Sequence, residues 1–153
     1  MSESSATPAE ALPELRYDDL TPGRIFRPMA FAITDDLVAQ YLDVMGDRNP
    51  LYEHDEAARA AGLDGRVAPV GLWGVWGRAA YLRDHRMPGG GVLAGEDVVY
   101  VKPARVGDVL SVQARVVDRY VKKERGRVLF ETAAHDSSGA LCGIVRISAI
   151  WPS

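Results

Sequence analysis

The sequence predicts an α+β fold in which an antiparallel sheet curls around one long central helix. Three observations carry this. The chain opens with one strand and a run of helical segments, and its second half alternates apolar and polar residues between turn signals. Gly71, Gly74 and Gly77 recur three apart inside an apolar helical stretch, where each glycine costs about 1 kcal/mol relative to alanine. A sheet packed close on the helix backbone would account for them. The 153 residues are 47% hydrophobic and 25% charged, enough for one sizeable core and typical of a globular domain.

Each element follows from its residues. Residues 1–14 are rich in Ser, Ala, Pro and Glu and read as a flexible tail, leaving 15–153 as a single domain. Gly23 to Ile33 reads as a strand, which Pro28 confines to an edge or a bulge. Thr34 is a suitable N-cap, with Asp35 and Asp36 in the first turn and Leu37, Val38, Tyr41, Leu42 and Met45 at helical spacing. Gly46 is placed to end that helix. A loop spans Gly46 to His54, a short helix follows from Asp55 to Ala61, and a longer helix runs from Val70 to about Leu82. Val92 to Val101 is a strand. Leu110, Val112, Ala114 and Val116 alternate with polar residues, the polar run Lys122 to Gly126 turns the chain, and Asp136 to Gly139 turns it again into Leu141–Trp151.

Composition excludes several classes. A net charge of −3 gives no bulk attraction to nucleic acid or an anionic membrane. No apolar run is long enough to span a bilayer, and the N-terminus lacks the basic and apolar regions of a secretory signal. The single cysteine, Cys142, excludes an internal disulfide and a cysteine-rich zinc site; it reads as a buried residue of an apolar strand and fits a cytoplasmic location. No metal site is expected. His85 and His135 read as ordinary turn and strand residues, and Lys122–Arg127 as a solvated hairpin tip.

The informative stretch runs from Met45 to Leu72. Gly46-Asp47-x-Asn49-Pro50-Leu51 is followed by a short Asp55-Glu56-x-Ala58 helix, a glycine-containing loop, and Ala68-Pro69 opening a hydrophobic helix. Downstream stands Tyr100-x-Lys102-Pro103-x-Arg105-x-Gly107-Asp108. This ordered set resembles the MaoC-like hydratase/dehydratase family of the hotdog fold, over nearly everything after residue 15. The Ala68-Pro69 opening and the Asn49-Pro50-Leu51-Tyr52 loop look like its FAS1-type N-terminal dehydratase half. The resemblance implies a hotdog dimer, either a homodimer or a heterodimer with a second hotdog subunit. It further implies acyl thioesters of coenzyme A or an acyl carrier protein as substrates, reversible addition of water to a 2-enoyl thioester, and no cofactor.

That reaction needs a base for water, an acid for the α-carbon, and donors for the enolate oxygen, which backbone N–H groups at a helix start supply well. The family loop reads Asp-x-Asn-Pro-x-His, its aspartate and histidine forming the catalytic pair. Asp47, Asn49 and Pro50 match, but the histidine position is Tyr52. Tyrosine, with a reference pKa near 10, is a poor base at neutral pH. The catalytic candidates are therefore Asp47, Tyr52 and His54, with Asn49, Val70, Gly71 and Trp73 as substrate-binding candidates; either Val70 or Gly71 stands at the oxyanion-donor position. Three functions compete: a half lacking the histidine and paired with a histidine-bearing partner, a self-sufficient hydratase/dehydratase, and a thioesterase or non-catalytic acyl-thioester binding protein. No Asp or Glu lies between Val67 and Leu82, which weighs against a thioesterase.

Overall fold

Pro28 decides how the chain enters the sheet. In the computed structural model, which describes residues 12–152, the strand expected over 23–33 shrinks to β1 (Met29–Ala32). Proline offers no N–H to a ladder, and upstream of it the chain keeps to the same sheet edge through an isolated bridge of Ile25 with Arg115 and backbone bonds of Gly23, Arg24 and Phe26 with Val116 and Ala114. Thr34 Oγ1 then accepts the Leu37 N–H at 3.1 Å and starts α1 (Asp35–Met45), which Gly46 ends in the left-handed conformation at φ 64°. The loop expected over 46–54 contains a helical turn, α2 (Pro50–Glu53), with Asn49 as its N-cap. It is followed by α3 (Asp55–Ala60). The central helix α4 (Leu72–Leu82) begins two residues later than expected, because Val70 and Gly71 form a turn ahead of it.

Four strands follow: β2 (Val92–Tyr100), β3 (Val109–Lys122), β4 (Arg125–His135) and β5 (Leu141–Ile150). The five-stranded sheet has the order β1-β3-β4-β5-β2, and every pairing is antiparallel. The β3–β4 turn is tighter than the polar run suggests. Lys123 and Glu124 alone make it, both at positive φ (52° and 58°), the geometry of a two-residue hairpin turn.

The sheet wraps α4. Leu110, Val112, Ala114 and Val116 of β3 are fully buried, and Trp73 and Trp76 of α4 are core residues at 2% and 0% exposure. Thr132 of β4 donates its hydroxyl to the Gly77 carbonyl at 2.9 Å, tying the helix to the sheet. The three glycines do not all face the sheet as expected. A β-carbon at Gly77 would lie 2.7 Å from Val145 Cγ1 on β5, so this glycine permits the close approach. Gly74 faces the Glu96 carboxylate of β2, 2.6 Å from where its β-carbon would be, and Gly71 faces the Tyr41 hydroxyl. Residues three apart on a helix fall about 60° short of a full turn, so the row drifts off the sheet face.

Residues 1–11 of the expected tail lie outside the described residues. Pro13 and Leu15 exchange backbone bonds with Arg86, and Trp151 Nε1 donates to the Leu15 carbonyl at 3.1 Å, so the chain is anchored from here onward. On the outer face, Glu131 accepts from both Arg115 (2.8 Å) and Arg146 (2.9 Å), a charge ladder across three strands. At the open edge of the sheet, β2 is exposed along nearly its whole length. Cys142 is buried, and no helix among the described residues is long and apolar enough to cross a membrane.

Candidate active site

The start of α4 stands between two segments distant in sequence. On one side are α2 and the loop ahead of α4; on the other is the chain leaving β2. Between them lies a mostly apolar pocket of about 320 Å³. Leu51 and Tyr52 come from α2, Leu63, Val67 and Ala68 from the loop, Val70 and Trp73 from the helix start, and Tyr100 to Ala104 from the far side.

The polar groups of this pocket are few. Among the described residues its titratable side chains are Tyr52, Tyr100 and Lys102, and no carboxylate or imidazole lines it. Tyr52 is 7% exposed, and its hydroxyl has no protein partner among the described residues. Tyr100 donates to the Val70 carbonyl at 3.3 Å and stands edge-on to Trp73, ring centres 5.0 Å apart. Burial, and then the neighbouring Glu96, Tyr52 and Tyr41, push the Tyr100 phenol above its ordinary pKa, so it stays a donor. Lys102 is held by Asp136, which raises the ammonium pKa and lowers that of the carboxyl.

The candidates from the sequence divide. Tyr52, Val70 and Trp73 meet at the pocket. Asp47 does not line it: its carboxylate accepts the Asn49 N–H at 3.0 Å, and Asn49 in turn accepts the Leu51 N–H at 3.1 Å. Both side chains fold the loop that presents Tyr52. His54 is exposed and faces another depression, beside Asp35, Asp43, Glu53 and Arg66. Tyr52 lies within the unforeseen α2 turn, whereas His54 is its C-cap in extended conformation, at φ −132° and ψ 119°. Gly71 lines a third depression with Gly74, Arg78 and Glu96. Val70 N and Gly71 N have no acceptor among the described residues, and only Val70 also lines the pocket.

Tyr100 and Lys102 belong to the pocket but were not among the candidates. The Tyr-x-Lys-Pro signature was visible; its nearness to Val70, thirty residues earlier, depends on the sheet closing around α4.

A family model described as "FAS1-like, dehydratase domain region" matches residues 21–140. The chain belongs to this FAS1-like dehydratase family. This match bears out the expected resemblance, and the expected fold is shared with the solved MaoC-like dehydratase of Rhodospirillum rubrum, at a TM-score of 0.73 and 18% identity with 89% of this chain and 96% of that one covered. The chain is similar to the 3-hydroxybutyryl-CoA dehydratase of Methylorubrum extorquens, 28% identical over 121 residues, 76% of this chain and 75% of that one. It is also 43% identical over 44 residues to the alpha subunit of the 3-oxo-4,17-pregnadiene-20-carboxyl-CoA hydratase of Mycobacterium tuberculosis. That match spans 29% of this chain and 14% of the subunit's length. The solved HadBC (3R-hydroxyacyl-ACP dehydratase) complex of M. tuberculosis shares the fold. Its matched chain has a TM-score of 0.72 and 20% identity, with 84% of this chain and 96% of that one covered.

Proposed function

We propose that the chain is the acyl-binding half of a hydratase/dehydratase acting on 2-enoyl and 3-hydroxyacyl thioesters of coenzyme A or an acyl carrier protein. A second hotdog subunit carries the catalytic histidine. One observation carries the reading: among the described residues, the pocket offers an apolar wall, two phenolic hydroxyls and a helix start, but no group that is a base at neutral pH.

In hydration, the hydroxyl of water bonds to C3 as its other proton passes to the base and a proton is delivered to C2, while negative charge gathers on the thioester oxygen. The Val70 N–H, at the positive end of α4, and the Tyr52 hydroxyl are this chain's donors to that oxygen. Trp73, Leu51 and Val67 hold the acyl group. Asp47 and Asn49 hold the loop so that Tyr52 faces the pocket. Gly71 and His54 stand outside this set. The base and acid come from the partner, seated along the open β2 edge, which offers a full row of unpaired backbone groups. A cytoplasmic location suits a chain with one buried thiol.

A thioesterase is less well supported. The Glu96 carboxylate, which stands against Gly74 of α4, belongs to a separate depression.

The test is reconstitution. The chain is assayed for hydration of crotonyl-CoA alone and after co-expression with a MaoC-like subunit bearing Asp-x-Asn-Pro-x-His. The expected outcome is a stable complex with turnover at least about 10²-fold above the chain alone. A homodimer with full activity by itself would refute the division of labour.

A further inference from the structure

We infer that Trp73 sets an upper limit on the acyl group, so that the pocket takes a short or compact acyl chain and excludes a long extended one. This rests on the acyl-thioester reading above and adds the substrate class to it.

A long chain needs a path past Trp73 into the space between α4 and the sheet. Trp73 is 2% exposed and its indole lies flush against β5 at Gly143. A β-carbon at position 143 would collide with that ring and with the Val99 carbonyl, so a glycine there lets the indole reach the sheet backbone. Tyr100 closes the edge of the ring, and Trp76 packs on its inner side with centres 4.5 Å apart.

Aromatic rings continue behind this pair. Phe31 stands 5.6 Å from Trp76. Farther along the helix, Tyr81 stacks on Phe130 at 3.9 Å and 5°, and Trp151 lies 5.8 Å from Phe130. The region a tunnel would use is filled by rings from both layers. Because Trp73 rests on backbone, it has no room to swing aside without moving β5. The pocket's 320 Å³ also lies at the low end of the roughly 300–1,000 Å³ common for small-molecule sites.

The experiment is a chain-length series on the full-length protein. Crotonyl, octenoyl and dodecenoyl groups, each carried on coenzyme A and on an acyl carrier protein, are titrated while tryptophan fluorescence and binding heat are followed. The wild-type chain is expected to bind the crotonyl thioester at least about tenfold more tightly than the dodecenoyl thioester on the same carrier. Trp73→Ala is expected to erase that preference by strengthening dodecenoyl binding. Trp73→Leu serves if the alanine variant does not fold, and the wild-type series decides the matter without either. Equal affinity for all three lengths in the wild type, or an unchanged length preference in a folded Trp73 variant, would overturn the inference. Failure to bind any acyl group on either carrier would instead overturn the acyl-thioester reading itself.

Discussion

Gly77→Ala and Gly74→Ala form a matched pair on α4. Both substitutions gain the same helix propensity, about 1 kcal/mol. Their difference therefore isolates what each new methyl group meets. At position 77 it would lie 2.7 Å and 2.9 Å from Val145 Cγ1 and Cβ, and Val145 is 1% exposed with nowhere to retreat. The helix or β5 must shift, and overpacking of this kind costs about 1–3 kcal/mol. The shift also strains the 2.9 Å bond from Thr132 to the Gly77 carbonyl. At position 74 the methyl meets only the end of the Glu96 side chain, which is exposed and can swing into solvent. Gly74→Ala should be neutral or more stable by up to about 1 kcal/mol. Gly77→Ala should be less stable than Gly74→Ala by about 1–3 kcal/mol. In a domain of this size each kcal/mol moves Tm by about 2–4 °C, so circular-dichroism melts should separate the two variants by roughly 2–12 °C. Equal melting temperatures would refute the close cradling of α4 by β5.

Three further outcomes follow from single features. Burial alone would raise the Glu131 carboxyl pKa, but its bonds to Arg115 and Arg146 outweigh burial and hold it below the ordinary range. The ladder therefore stabilises the fold above the unfolded carboxylate pKa, and this is lost as pH falls through the folded value. Both arginines are about half exposed, so Glu131→Gln should cost only about 1 kcal/mol at pH 7 by urea titration, with the gap closing below about pH 4. Asp47→Ala should cost about 1 kcal/mol of stability through its lost bond from the Asn49 N–H, yet leave enoyl-thioester affinity within about threefold; a hundredfold loss of turnover in the reconstituted complex would restore Asp47 to proton transfer. Glu124→Gly should raise stability by about 1 kcal/mol in thermal melts, since glycine takes positive φ without the cost other residues bear.

Much of the fold was legible because it depends on local chemistry. Thr34 and Gly46 mark both ends of α1, and the alternation of Leu110, Val112, Ala114 and Val116 gives the buried face of β3. Elements set by one turn or one residue were harder to read. A single turn such as α2 has no periodicity to detect, yet it sends Tyr52 into the pocket and His54 away from it. The glycine row correctly indicated close packing on α4, but rotation around the helix sets Gly77 against Val145 of β5, Gly74 against the Glu96 side chain of β2 and Gly71 against Tyr41 of α1. Of the site, the substitution of Tyr52 for histidine was plain in the sequence. The bond by which the Asp47 carboxylate accepts the Asn49 N–H was not, because neither the residue's type nor its spacing tells a turn carboxylate from a catalytic one. Tyr100 entered the site only through the closure of β2 against α4.

The central claim is that this chain binds the acyl thioester but supplies no base. The most direct measurement pairs two readouts on one sample of the purified chain alone: the crotonyl-CoA binding isotherm, and the loss of enoyl absorbance over time at saturating substrate. A saturable isotherm with no turnover in the usual enzymatic range of about 1–10³ s⁻¹ is expected. Turnover in that range by the chain alone would contradict it.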